Sequence, residues 1–133
     1  MNLNSKKTYV IAEIGVNHNG SVNLAKKMIR EAKRCGADAV KFQSFKAKNL
    51  ATDFANQAPY QIKNTKIKEK QIKMLKKYEL IDKSYYTLKK ECKKNKIEFI
   101  SSVFDEESYN FLLNKIKKKI IKIPSGEITN YFI

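Results

Sequence analysis

The sequence predicts a parallel α/β fold, and two observations support this prediction. Short runs of β-branched and apolar residues alternate with longer segments whose apolar residues recur at helical spacing. The resulting order is strand, helix, strand, helix, strand, helix, strand, which favours a parallel sheet with right-handed crossover connections. With 133 residues the chain has room for one domain with a modest core.

The alternation begins in the first third of the chain. Residues 9–14 (YVIAEI) form a short apolar run, which predicts a buried strand. A helix is expected from Ser21, a suitable N-cap, and Gly36 lies just after its last turn. The apolar face of this helix carries Ala25, Met28, Ile29 and Ala32. Residues 37–42 (ADAVKF) predict the second strand.

A long polar segment follows the second strand. Residues 43–64 are rich in Ala, Asn, Gln and Lys and contain Pro59, which predicts an extended loop with little regular structure. Loops of this length inside a compact domain are usually functional. We therefore expect this segment to contribute to a site.

The alternation then resumes. Residues 67–79 have helical periodicity, and another helix is expected from Asp82. Residues 97–103 (IEFISSV) and 119–123 (KIIKI) predict the third and fourth strands, and Asp105 is placed to cap the helix between them. The predicted apolar faces of the last two helices carry Tyr85, Leu88 and Cys92, and Tyr109, Leu112, Leu113 and Ile116.

The formal charge of +15 at pH 7 is compatible with nucleic acid, an anionic membrane surface or a phosphorylated small molecule as partner. Most of the excess lies where Lys alternates with apolar residues at helical spacing, which indicates solvated faces of amphipathic helices. Arg occurs only at Arg30 and Arg34, whereas specific DNA readout depends heavily on Arg. A nucleic-acid-binding protein is therefore the least favoured class, and no nucleic acid partner is expected.

The sequence also bears on location. Lys or Asn interrupts every apolar run, so no membrane-spanning segment is expected. The N-terminus has no apolar region followed by a cleavage site of small residues, so no signal peptide is expected. Cys35 and Cys92 lie at no metal-binding spacing and are expected to be buried, reduced thiols. These features predict a cytoplasmic protein without a membrane partner.

Polar side chains cluster where each predicted strand ends. These residues are Glu13, Asn17 and His18; Lys41 and Gln43; Ser101, Ser102 and Asp105; and Lys122, Ser125 and Glu127. The carboxyl ends of parallel strands share one rim, where ligand sites form. A buried, unpaired ammonium is costly, so Lys41 and Lys122 are expected to meet an anion. The set suits an acidic, phosphorylated substrate together with a polyhydroxy one, although residues 17–20 alone are also typical of a plain turn.

Four motifs give this pattern a more specific meaning: AEIGVNHNG, VKFQ, FISSVFD and KIPSGEITN. In this order and spacing they resemble the N-acetylneuraminate (sialic acid) synthase family, which includes legionaminic and pseudaminic acid synthases. The resemblance implies that residues 1–133 are the N-terminal half of a (β/α)8 barrel domain, with about four parallel strands. A full barrel needs about 250 residues, so later strands and a C-terminal antifreeze-like domain would be absent.

The resemblance also implies an activity. Members of this family condense phosphoenolpyruvate with an N-acylated amino sugar, such as N-acetylmannosamine or a diacetamido hexose, to a nine-carbon 2-keto sugar acid and phosphate. Glu13 and Glu127 are the implied catalytic carboxylates, which hold the hydroxyls of the amino sugar. The implied substrate-binding residues are Lys41, Gln43, Ser102, Lys122 and Ser125. One departure is that Ser102 and Val103 stand where the family commonly has Thr and Pro, which keeps a hydroxyl but loses the rigid Pro.

The implied cofactor is a divalent metal, usually Mn²⁺, with its ligands expected beyond residue 133 and none within the chain. A homodimer is implied for the full-length form. The chain by itself is expected to be inactive, because His18 is its only His. A non-catalytic half-barrel that binds a phosphorylated acid or a partner chain remains an alternative.

Overall fold

The computed structural model describes residues 7–131 and places one three-stranded parallel sheet among them. Strands β1 (Ile11–Gly15), β2 (Ala39–Ser44) and β3 (Glu98–Val103) lie side by side in that order. Both strand pairs are parallel, and helices make both connections. The predicted parallel α/β fold is therefore confirmed.

Helices lie between and after the strands. The connection from β1 to β2 is α1 (Val22–Arg34). The longer connection to β3 holds α2 (Ala47–Leu50), α3 (Pro59–Thr65), α4 (Gln71–Tyr78) and α5 (Asp82–Lys94). After β3 come α6 (Glu106–Asn110), a π-helix (Phe111–Lys115) and a 3₁₀ turn (Ser125–Glu127). Among residues 7–131, no helix is both long enough and apolar enough to cross a membrane.

The core lies between one face of the sheet and helices α1 and α5. Phe42 of β2 stacks on Phe99 of β3 with ring centroids 5.4 Å apart, and both side chains are buried. Ile29 of α1 and Leu88 of α5 are fully buried against this face. The N-cap predicted for α1 is confirmed, since the Ser21 hydroxyl accepts a hydrogen bond from an amide of the first turn.

The strand boundaries differ slightly from those predicted. The first strand begins two residues later, because the Val10 carbonyl accepts from Asp38 and Ala39 and pairing in register starts only at Ile11. The second strand continues beyond residue 42, because Gln43 pairs with a residue of β3. The sequence pattern located each strand but could not reveal which partner residues would extend it.

The fourth predicted strand, residues 119–123, is reduced to a single parallel bridge between Ser102 and Lys122. The Lys122 N–H donates to the Ser101 carbonyl at 3.0 Å, and its carbonyl accepts from Val103 at 3.3 Å. None of the described residues pairs with the far side of this segment. The apolar pattern KIIKI marks the right place, but among the described residues only Lys122 of this segment pairs with β3.

The prediction that residues 43–64 form an extended loop with little regular structure is wrong, because this segment contains α2 and most of α3. The first turn of α2 is held from outside, since the Ala47 N–H donates to the Glu79 carboxylate at 2.9 Å. At α3, Pro59 occupies the first turn, and the Gln61 side chain accepts from the Ala58 N–H at 2.8 Å. Such hydrogen bonds between side chain and backbone are not visible in the sequence as a periodic pattern of apolar residues.

Two predicted burials are also wrong. Cys35 is exposed, because it is the C-cap of α1 and lies beyond the face that carries Ile29. Leu113 is 41% exposed, because it lies in the π-helix, where the wider turn shifts side chains relative to a 3.6-residue period. Cys92 is buried as predicted, and burial raises the pKa of its thiol to about 12.

Candidate active site

Glu13 and Lys41 lie directly opposite each other on β1 and β2. The Lys41 ammonium forms an ion pair with the Glu13 carboxylate. The Lys41 side chain is 17% exposed and that of Glu13 is 49% exposed, so the cation is the more enclosed partner. The anion that the sequence predicts for Lys41 is thus supplied, in this state of the protein, by its own chain.

A second row of predicted residues lies one step further toward the carboxyl ends of the strands. Gln43 of β2 is in register with Ser102 of β3, and Ser102 forms the bridge with Lys122. Because side chains two residues apart on a strand point to the same face, Gln43 and Lys41 share a face. The structure therefore brings five predicted site residues to the same part of the sheet.

A local irregularity makes room for this arrangement. The register of β1 against β2 shifts between Glu13 and Gly15, as in a β-bulge. Gly15 has φ +55°, and a Cβ there would lie 3.3 Å from Glu13 Oε1 and 3.4 Å from Gln43 Nε2. The glycine thus permits the left-handed backbone and leaves space for two predicted site side chains.

The last three predicted residues lie at the bridge to β3 and just after it. Lys122 and Ser125 are exposed, whereas Glu127 is half-buried. The Glu127 carboxylate accepts a hydrogen bond from the Asn130 amide at 2.8 Å. The expectation that Lys122 is buried is wrong, because no described strand covers the far side of its segment. Its ammonium is left open to an anion from solution.

Ser101 lies on the other face of the sheet. Its hydroxyl shares a hydrogen bond of 2.7 Å with that of Ser44, and both side chains are buried. The adjacent Ser102, also buried, points the opposite way. The two neighbouring serines therefore have separate environments, and only Ser102 joins the predicted set.

His18 is fully buried in the loop after β1. Its Nδ1 accepts a hydrogen bond from the Gly20 N–H at 3.0 Å, and its ring centroid lies 6.1 Å from that of Phe42. Burial lowers the pKa of the imidazole. The neutral ring with its proton on Nε2 fits this contact, so His18 stabilises the loop rather than offering a charged group.

A cavity of about 430 Å³, here called the rim cavity, lies where the strands end. Its polar wall is formed by the amides of Asn17, Asn19, Gln43, Gln61 and Asn64. Its apolar wall includes Leu50, Tyr60, Met74, Leu75 and Tyr78. The sequence pattern did not identify the α4 side chains, since their spacing is that of ordinary core residues. A second cavity of about 480 Å³ lies beside Phe104 and Glu127.

Within residues 7–131, no three His, Cys, Asp or Glu side chains are grouped closely enough to hold a metal ion. Glu13 is engaged by Lys41, and Glu127 by Asn130. The described residues therefore do not fit the metal that the sequence resemblance implies. No chemical step is assigned to a metal held by them.

Comparison with known proteins gives a consistent result. Residues 28–133 match the NeuB family. The chain is 56% identical over 125 residues to N,N'-diacetyllegionaminic acid synthase of Campylobacter jejuni, covering 94% of this chain and 37% of that enzyme. It is 47% identical over 126 residues to the enzyme of the same name from Legionella pneumophila, covering 95% of this chain and 35% of that enzyme.

A solved structure shares the fold. The N-acetylneuraminic acid (sialic acid) synthetase from Leptospira borgpetersenii, in complex with citrate, superimposes with a TM-score of 0.73 at 31% identity. The match covers 94% of this chain and 39% of that protein. This chain thus spans little more than a third of the length of these relatives.

Proposed function

We propose that this chain, which belongs to the NeuB family, forms part of a synthase that condenses phosphoenolpyruvate with an N-acylated amino sugar. The products would be a nine-carbon 2-keto sugar acid and phosphate. One observation carries the proposal: Glu13, Lys41, Gln43, Ser102 and Lys122 meet at the carboxyl end of one parallel sheet. The 56% identity to a legionaminic acid synthase supports it.

The phosphoenolpyruvate half of the site is assigned to Lys41, Lys122 and Ser125, with Gln43 and Ser102 in support. Two ammonium groups suit the phosphate and the carboxylate of this substrate, because charge-assisted hydrogen bonds to anions are stronger than neutral ones. Lys122 is exposed and available to an incoming anion. Lys41 must exchange its contact with Glu13 for one with the substrate.

That exchange gives Glu13 a role. Once Lys41 turns to the substrate anion, the Glu13 carboxylate is free to accept hydrogen bonds from the hydroxyls of the amino sugar. Glu127, whose carboxylate is held by Asn130, is the second carboxylate and is proposed to take part in proton transfer. The lysines would thereby bind phosphoenolpyruvate, and the carboxylates would act on the amino sugar.

Three further features belong to the same proposal. The complete synthase is expected to bind Mn²⁺ through residues outside the described part of the chain. It is expected to be a homodimer, and to act in the cytoplasm, where phosphoenolpyruvate is produced. None of the steps assigned above passes through the metal.

The proposal is tested with a chimera of the Campylobacter jejuni enzyme, in which residues 1–133 of this chain replace the matching N-terminal segment. We expect the chimera, supplied with phosphoenolpyruvate, Mn²⁺ and a diacetamido hexose, to release phosphate and form the keto acid. Lys122→Ala should raise the KM for phosphoenolpyruvate by about tenfold or more while leaving that for the sugar nearly unchanged. Lys119→Ala, an exposed Lys of the same segment, is the matched control.

Two results would count against the proposal. The first is a folded chimera that releases no phosphate under conditions in which the parent enzyme is active. The second is an equal loss for both substrates in Lys122→Ala, which would reject its assignment to phosphoenolpyruvate.

A further inference from the structure

Three hydroxyl groups lie behind the proposed site, on the face of the sheet that packs against the helices. They belong to Ser44 of β2, Ser101 of β3 and Tyr85 of α5, and each of these side chains is at most 3% exposed. The Ser44 and Ser101 hydroxyls share a hydrogen bond of 2.7 Å. These three groups are here called the hydroxyl network. The proposed reaction uses none of them.

The hydroxyl network ends at two backbone carbonyls. At one end the Ser101 hydroxyl donates to the Ser102 carbonyl at 3.1 Å. At the other end the Tyr85 hydroxyl donates to the Gln43 carbonyl over a long contact of 3.5 Å. Gln43 and Ser102 are in register on neighbouring strands, and their side chains point to the opposite face, which carries the proposed site. The network therefore holds the backbone of this pair from behind the sheet.

The protons of the network are ordered in one direction. Each hydroxyl has one proton to donate. Ser101 donates its proton to the Ser102 carbonyl, so Ser44 is the donor in the 2.7 Å hydrogen bond with Ser101. The Ser44 oxygen is then an acceptor for Tyr85, with which it is hydrogen-bonded. The order of donation thus runs from Tyr85 through Ser44 and Ser101 to the backbone.

The hydroxyl network is enclosed. The cleft that Ser44 and Tyr85 line is too small to hold a water molecule. The Tyr85 ring packs edge-on against Phe111, with ring centroids 5.5 Å apart. Burial raises the pKa of the Tyr85 phenol, so the group stays a neutral donor. Because water has no room to replace a lost hydroxyl, removing one member leaves its neighbour without that partner.

The network contacts the elements that carry the two proposed phosphoenolpyruvate lysines. Lys41 belongs to β2, the strand through which the network passes. The Ser101 carbonyl accepts a hydrogen bond from the Lys122 N–H at 3.0 Å, so the same residue also anchors the second lysine. The carboxylates proposed for the amino sugar, Glu13 and Glu127, lie on β1 and on the 3₁₀ turn. A disturbance of the network should therefore reach the phosphoenolpyruvate residues first.

We propose that the hydroxyl network positions Gln43 and Ser102 for phosphoenolpyruvate, by holding their carbonyls from the opposite face of the sheet. Tyr85, Ser44 and Ser101 are thus positioning residues that touch neither substrate. The inference rests on the proposed function and adds the residues that support its anion site. Binding groups need such support, because their geometry depends on hydrogen bonds made by the residues behind them.

The experiment measures the kinetics of the chimera with the Campylobacter jejuni enzyme, varying phosphoenolpyruvate and the diacetamido hexose separately. Tyr85→Phe removes one hydroxyl but keeps the ring, and Ser101→Ala interrupts the network at its contact with the backbone. We expect each to raise the KM for phosphoenolpyruvate by about three- to tenfold and to leave the KM for the sugar unchanged. Ser101→Thr, which restores a hydroxyl, should recover most of the loss.

The double variant of Tyr85→Phe and Ser101→Ala tests whether the hydroxyls act as one unit. Either single substitution interrupts the same network, so the second should add little to the larger single effect. Independent contributions would instead multiply the two increases in KM. That result would overturn the inference that a connected network positions the site.

Two controls separate positioning from general destabilisation. Tyr86→Phe removes the hydroxyl of the neighbouring Tyr of α5, which is 49% exposed. Ile29→Val shortens a fully buried side chain of α1 and lowers stability without removing a hydroxyl. Both should leave the KM for phosphoenolpyruvate unchanged. Urea denaturation of the 133-residue chain gives the stability of each variant.

The outcomes distinguish this inference from the proposed function. An unchanged KM for phosphoenolpyruvate in Tyr85→Phe and Ser101→Ala overturns the inference, and so does an equal rise for both substrates, which a purely structural role would produce. A similar rise in Ile29→Val overturns it as well. If Ser101→Ala does not fold, Tyr85→Phe decides alone. A wild-type chimera that releases no phosphate contradicts the proposed function, and the inference falls with it.

Discussion

The carboxylate of Asp105 accepts a hydrogen bond from the Lys46 N–H at 2.8 Å, which joins the loop after β3 to the loop after β2. The same carboxylate accepts from the N–H and the hydroxyl of Ser108, both at 2.9 Å. Asp105 is therefore the helix cap that the sequence predicts, and it is also a link between two sides of the site. The second role depends on a contact across 59 residues.

We predict that Asp105→Ala lowers the free energy of unfolding by about 3 kcal/mol, because it removes an N-cap and leaves buried donors unpaired. Urea denaturation of the two proteins measures the difference. Asp53→Ala, at an exposed Asp, should change stability by less than about 0.5 kcal/mol. Equal effects of the two substitutions would show that the link contributes nothing.

Gly20→Ala should be destabilising by about 2 kcal/mol or more. Gly20 has φ +75°, where a side chain costs roughly 1–2 kcal/mol, and the added Cβ would lie 2.4 Å from the Lys77 carbonyl oxygen. At Gly126 an added Cβ would meet no atom within 4 Å, so Gly126→Ala is the control. Thermal unfolding of both variants tests the prediction, which fails if Gly20→Ala melts with the wild type.

His18 should make stability depend on pH. Burial lowers its pKa below the ordinary value of 6.5, so just below pH 6.5 the unfolded chain binds a proton that the folded chain does not. The free energy of unfolding therefore decreases as the pH falls from 6.5 to the lowered pKa of His18. Above pH 6.5 the ring is neutral in both states, so His18 causes no further change in stability with pH. His18→Gln should remove this part of the dependence in denaturant titrations.

The folded pKa can be measured directly by NMR, because the chain has one His and hence one pair of imidazole signals. A titration midpoint at or above 6.5 would contradict the prediction. The wild type and His18→Gln also differ in a second way, since the Gln side chain can still accept from the Gly20 N–H. Comparison at pH 8 therefore separates that contact from the proton effect.

The chain alone should be catalytically inactive. The complete synthase is proposed to need Mn²⁺, and a catalytic metal site usually has about three protein ligands, which the described residues do not supply. Incubation with phosphoenolpyruvate, N-acetylmannosamine and Mn²⁺, followed by assays of phosphate and keto acid, tests this. Metal-dependent turnover by a monodisperse monomer would show that the prediction is wrong.

Sequence periodicity identified the elements in which buried residues recur at a regular spacing. Helices α1 and α5 each carry an apolar stripe, and all three strands are apolar runs. Helix α2 has only four residues and depends on contacts with Asp105 and Glu79, which lie far along the chain. No local pattern encodes such distant partners.

The candidate site was predicted to a similar extent. The strand ends placed Lys41 and Gln43 on one rim, because the parallel fold alone requires it. The pairing of Lys41 with Glu13 also depends on register, which the bulge before Gly15 alters. The prediction that Lys122 is buried was wrong, because the sequence pattern shows that a segment can form a strand but not whether another element covers it.

The two proposed phosphoenolpyruvate lysines differ in how firmly the sheet holds them. Lys41 lies in the middle strand, bonded on both sides, whereas Lys122 is joined to the sheet by two backbone hydrogen bonds. Local opening of those two bonds would release Lys122, Ser125 and Glu127 together and leave the sheet intact. Amide protons of residues 122–130 should therefore exchange with solvent sooner than those of β2. Lys122 and Ser125 would then leave and rejoin the proposed phosphoenolpyruvate site together, while Lys41 stays in place.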